Sequence, residues 1–114
     1  MSYYDDLINA AQDTANEEEK KAADKYEKWR KAYNNKTAAE QEKEYNRLSA
    51  KIKDQYSSVE EYRKAIYDQE VEDAKKTAED QIKIYTDRQT RLKEIYDERI
   101  ALIEEYKKRL EEDK

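Results

Sequence analysis

The chain has 114 residues, a net charge of −5, 46% charged and 36% hydrophobic residues, and no Gly, Pro, Cys or His. That length holds one modest domain, read here as a single unit over 1–114. The missing residue types close off disulfide and zinc-thiolate chemistry, imidazole acid–base catalysis and glycine loops that cradle phosphate. With neither Gly nor Pro the chain has few ways to turn, and its dominant residues favour helix, so an all-α fold is expected.

From the N-terminus, Tyr4, Ile8, Ala11, Ala15, Ala22, Tyr26, Trp29 and Tyr33 recur at steps of three, four and seven, tracing one helical stripe. Ser2 suits the cap of this helix, with Asp5 and Asp6 in its first turn. The run Asn34-Asn35-Lys36-Thr37 interrupts the stripe, and Thr37 with Glu40 has the form of a capping box. A break or sharp kink is expected near residues 34–37, the competing reading being a continuous helix with a polar patch. A second stripe, Ala38, Tyr45, Leu48, Ile52 and Tyr56, ends at Ser57-Ser58. Ser58 with Glu61, overlapped by Ser57 with Glu60, predicts a tight turn at 57–58 and a new helix after it.

The third segment runs from Val59 to about Glu112 without a breaker. From Ala78 onward it fits a heptad. Ile82, Gln89, Tyr96, Ile103 and Leu110 hold one core position, and Ala78, Tyr85, Leu92, Arg99 and Tyr106 the other. Ile95, Ile100 and Leu102 widen the stripe. Acid-then-base pairs four residues apart, such as Glu17–Lys21, Glu79–Lys83 and Glu105–Arg109, each add about 0.2–0.5 kcal/mol to a helix and argue against disorder.

The turn at 57–58 divides the chain nearly in half. This suggests a long antiparallel helical hairpin or coiled coil whose paired residue numbers add to about 115. Ala11, Ala15 and Ala22 would then face the bulky region from Leu92 to Ile103, and Ala74 and Ala78 the region from Thr37 to Tyr45. The alternative is an uneven three-helix bundle over 4–34, 38–56 and 59–113, whose last helix overhangs and needs a partner. Two helices bury little, so a homo-oligomer such as a dimeric four-helix bundle is expected.

Eleven tyrosines and no Phe stand out. Most lie on the stripes, where a half-buried ring with a wet hydroxyl is at home. Tyr and Trp also anchor interfaces, and the candidate partner-binding residues are Tyr26, Trp29, Tyr33, Leu92, Tyr96, Ile103, Tyr106 and Leu110. Gln89 and Arg99 interrupt the best heptads, either to set register or to snorkel to water from a half-buried face. The acidic runs Glu17–Glu19, Asp68–Asp73 and Glu111–Asp113 spread around a helix axis and do not converge on a cation. Ser49, Ser57 and Ser58 have no imidazole to activate them. No catalytic residue, metal or cofactor is expected, and no small-molecule substrate. Intermixed charge leaves no basic stripe for nucleic acid, and Ile100–Ile103, the longest strongly apolar run, is too short for a membrane span.

The stretches Tyr3-Tyr4-Asp5-Asp6-Leu7-Ile8 and 96–106 resemble the long helical coiled-coil segments of phage tail tape-measure proteins in their Tyr, Glu, Lys and Ile at helical spacing. The resemblance implies a structural role, and a virion location if the chain is phage-derived; without it the cytoplasm is the expected compartment. The expected function is a non-enzymatic structural or protein-interaction module of long amphipathic helices, acting on itself or on a partner helix. The alternatives are a small helical regulatory binder, like a phage inhibitor or an antitoxin, and a de novo designed bundle. Designs, however, usually place Gly or Pro in loops and Leu in cores.

Overall fold

A computed structural model describes residues 2–113, with side chains from Tyr3 onward; the expected cap at the Ser2 side chain lies outside the described residues. The chain forms α1 (Ser2–Asn34), α2 (Ala38–Asn46), α3 (Ala50–Gln55) and α4 (Val59–Glu112), with no strand among the described residues. The two long helices are the arms of an antiparallel hairpin, and the expected break near 34–37 and turn at 57–58 are in place.

Local chemistry sets these boundaries. Thr37 is extended, with φ −70° and ψ 161°. Its hydroxyl accepts from the Glu40 N–H at 3.2 Å, while the Glu40 carboxylate accepts from the Thr37 N–H at 3.2 Å. This reciprocal box satisfies donors that a helix start leaves open. Ser58 caps α4 with its hydroxyl, accepting from the Glu61 N–H at 3.1 Å, but the expected reciprocal box does not close. The Glu61 carboxylate reaches past it to Ser57, taking the N–H at 2.9 Å and the hydroxyl at 2.6 Å. The segment 38–56, expected as one helix, is instead divided after Asn46. Ser49 turns extended, with φ −65° and ψ 157°, and its hydroxyl accepts from the Ile52 N–H at 3.3 Å to start α3.

The pairing register differs from the expected one. Asp5 meets Gln89, Lys25 meets Glu70 and Tyr26 meets Tyr67, so paired numbers add to about 94 rather than 115. The reason is the connection. The hinge is not the two serines but the whole of 35–58, which holds the short helices α2 and α3, with Glu44, Arg47 and Leu48 set beside Val59, Tyr62 and Arg63 at the start of α4. At 1.5 Å per residue α1 is about 50 Å long and α4 about 80 Å. The arms are therefore unequal: α4 runs about 30 Å past the start of α1, and its residues 97–112 lie beyond the notch that Tyr96 shares with Tyr3 and Tyr4. The overhang foreseen for the three-segment arrangement is thus present in the hairpin.

The packed region is thin. Among the described residues Ala11, Ala15, Ala22, Tyr33, Val59 and Ala78 are buried, and no charged residue is. The alanines of α1 do not face Leu92–Ile103, and Ala74 and Ala78 do not face Thr37–Tyr45; they line one groove together, with Thr14 and Thr77. Small side chains on both helices let the backbones approach closely. The molecule measures 96 × 25 × 12 Å, with a radius of gyration of 26.6 Å, against about 13 Å for a compact chain of this length. Its 12 Å thickness is one helix diameter, so both broad faces are open to solvent.

Candidate interaction surface along the long helix

The eight candidate contact residues fall into two groups. Near the connection, Tyr33, Trp29 and Tyr26 stand on successive turns of α1 and stack in a row. Ring centroids are 4.9 Å apart for Trp29–Tyr33 and 6.3 Å for Tyr26–Trp29. Tyr67 of α4 continues the row, 5.1 Å from Tyr26 and tilted by only 7°. Arg63 lies 5.4 Å from the Trp29 ring, in cation–π range. Tyr33 is 6% exposed, and burial, with Glu60 and Glu44 nearby, pushes its hydroxyl pKa up. Tyr26 and Trp29 are half-buried. This ladder joins α1 to α4, and Tyr33 offers almost no surface to a partner.

Around it, the Lys36 ammonium donates to the Glu44 carboxylate at 2.8 Å and ties the interruption to α2. The Gln41 side-chain amide donates to the Tyr33 carbonyl at 3.0 Å, a second bond to an oxygen that already accepts from the Lys36 N–H at 3.0 Å. Tyr67 and Arg63 are contributors that the sequence stripes pass over. Tyr67 stands beside Ile66 and four residues before Val71, which is the signal that would have placed it on a widened packing face.

The second group lies at the other end of α4. Leu92, Tyr96, Ile103, Tyr106 and Leu110 are 41%, 54%, 53%, 64% and 49% exposed. Ile100 and Leu102 are also exposed, and they widen the same face. Only its near end meets α1. There Tyr3, Tyr4, Gln89, Leu92, Lys93 and Tyr96 enclose a mainly apolar notch of about 280 Å³. Tyr3 and Tyr4 stand edge to face at 5.2 Å. Gln89 is half-buried and donates its amide to the Asp5 carboxylate at 2.9 Å. That bond is the largest cause holding the Asp5 pKa below the usual carboxylate range. The polar heptad residue at 89 thus bonds across to α1 within one chain, and Arg99 is exposed on the overhang.

Other features have no converging chemistry. The alanine-lined groove between α1 and α4 holds about 430 Å³, with Glu18, Lys21, Lys25, Glu70 and Asp73 also along it. Among the described residues no group of three or more His, Cys, Asp or Glu is disposed to hold a metal ion. No helix among them is long and apolar enough to cross a membrane. No protein-family model, no curated protein and no solved structure matches the chain.

Proposed function

We propose that the protein is a non-enzymatic structural or protein-interaction module that works through the overhanging part of α4. One observation carries this reading. The most regular apolar stripe in the chain, Leu92 to Leu110, is exposed and meets α1 only at its near end, where Leu92 and Tyr96 share a notch with Tyr3 and Tyr4. Contiguous exposed apolar surface on this scale marks an interaction site. It is also costly to leave bare, because an isolated helix of about 16 residues is marginal in water.

Amide exchange of the purified chain, followed together with mass by light scattering from about 1 to 100 µM, tests the reading. Association through the stripe makes the amides of 97–112 slow to exchange, increasingly so with concentration, for self-association. For a partner helix, the same protection arises when that helix is added. Fast exchange throughout 97–112 when the chain is associated would put the contact elsewhere and overturn the reading.

A further inference from the structure

We infer that the occupant of the overhanging face is a second copy of this chain, docked antiparallel about a two-fold axis level with Ala101, each copy seating its Leu110 in the notch formed by Tyr3, Tyr4, Leu92 and Tyr96 of the other. This rests on the interaction reading above and names its partner.

The first support is the order of side chains along the stripe. Leu92, Tyr96, Arg99, Ile103, Tyr106 and Leu110 alternate steps of four and three, and their types nearly repeat when read backward. In an antiparallel pair centred at 101, Leu92 meets the partner's Leu110 and Tyr96 meets the partner's Tyr106. Arg99 meets the partner's Ile103, laying its aliphatic stem along that side chain with its head in water. Ile100 and Leu102 flank the axis and meet their own symmetry mates, so the widened part of the stripe falls at the centre of the contact. Such an interface is isologous and closes after two copies.

The second support is the place where α1 stops. α1 lies on the stripe only as far as the notch. In a parallel pair the two α1 helices would compete for the space between the two stripes, and Arg99 would meet its like-charged mate in a core layer. In the antiparallel pair each free tail approaches the other copy from the side that α1 leaves open. The notch is mainly apolar, and its volume of about 280 Å³ admits a leucine side chain.

The third support is area. Tyr3, Leu92, Tyr96, Ile100, Leu102, Ile103, Tyr106 and Leu110 are 41–68% exposed. On residues of roughly 150–250 Å² each, this leaves on the order of 800 Å² uncovered per copy, which is what one side of a standard stable interface buries.

The chain has no cysteine, so single-cysteine variants report geometry directly. A Leu92→Cys chain is mixed with a Leu110→Cys chain under mild oxidation, with Leu110→Cys alone alongside. An antiparallel pair brings 92 and 110 within disulfide reach and keeps the two 110 positions far apart. The expected result is the mixed 92–110 disulfide, a self-disulfide for Ile100→Cys, and dimerisation weakened about tenfold or more by Leu110→Lys. Circular dichroism confirms that each variant remains helical; these positions are exposed, so folding survives the changes. A preferred 110–110 disulfide would overturn the antiparallel pairing while leaving self-association standing. A single-chain mass up to about 100 µM would overturn the second copy as occupant and leave only a partner of another kind.

Discussion

Trp29 has aromatic or cationic neighbours on several sides: Tyr33 at 4.9 Å, Tyr26 at 6.3 Å and the Arg63 guanidinium at 5.4 Å. A lone Trp among tyrosines invites reading as a binding anchor, because such residues are over-represented at hot spots. Its contacts here are internal. Truncating it removes the middle of a ladder that joins the end of α1 to the start of α4. Trp29→Ala is therefore expected to cost about 2 kcal/mol of stability. It should leave any dimerisation constant within about twofold, since additivity holds for distant sites. Tyr106→Ala, 64% exposed on the overhang, should do the reverse. Thermal unfolding and concentration-dependent light scattering on the two variants separate these effects. Equal loss of association in both would return Trp29 to the contact surface. The stripe pattern alone did not distinguish the roles, because Trp29 and Tyr106 occupy the same kind of position in their helices. What separates them is whether another helix lies opposite, and that is set by register.

Helix boundaries were legible where the chemistry is local. Thr37 with Glu40, and Ser58 with Glu61, place a hydroxyl and a carboxylate three residues apart; both hydroxyls cap, with the Glu40 carboxylate closing a box on Thr37 and the Glu61 carboxylate binding Ser57 instead. Ser49 has Ile52 at the corresponding position. Only the hydroxyl half of the cap exists there, and the division between α2 and α3 could not be read in advance. Register was illegible for a related reason. The stripes of α1 and α4 are compatible with several offsets, and the choice depends on how much chain the hinge consumes. The Asp5–Gln89 bond and the Tyr26–Tyr67 stack, separated by 84 and 41 positions, are products of that choice rather than local signals. The caps also carry a pH dependence with a definite sign. The Thr37 backbone and side chain hold the Glu40 carboxyl below its ordinary value of 4.5; the Ser57 side chain and then its backbone do the same for Glu61. The folded form is thus favoured while these groups are ionised. That contribution is complete above about 4.5 and is lost as pH falls through the depressed folded values. Thermal midpoints should fall between neutral pH and about 3, and the fall should be smaller in a Glu40→Gln/Glu61→Gln chain, whose amides do not titrate. An equal fall in the double variant would place the acid sensitivity outside the two caps.

At the scale of the whole molecule, composition and shape act together. Few large aliphatics, a thickness of one helix and a radius of gyration of 26.6 Å describe a chain that buries little of itself. Small cores are marginal, and a partner that binds only the folded form adds stability by mass action. Eight of the 15 Leu, Ile and Val residues lie between Ile82 and Leu110, and much of that stretch is uncovered by α1. Pairing two copies through it places the richest apolar surface where the single chain has no core of its own. Electrostatics oppose that step. Each copy carries a net charge of −5, and the antiparallel register also brings Lys93 near the partner's Lys107. These are exposed charges, and salt screens them over about 8–10 Å at moderate ionic strength. The apolar contact that favours pairing is not screened. Raising salt from about 20 to 150 mM should therefore tighten dimerisation and raise the thermal midpoint at fixed chain concentration. Opposite-charge pairing between copies would respond the other way. A dimer that loosens with salt would mean that complementary charge, not the Leu92–Leu110 stripe, holds the copies together. Sedimentation at the two salt concentrations distinguishes the cases, and the same comparison on Leu110→Lys identifies the share that the stripe contributes.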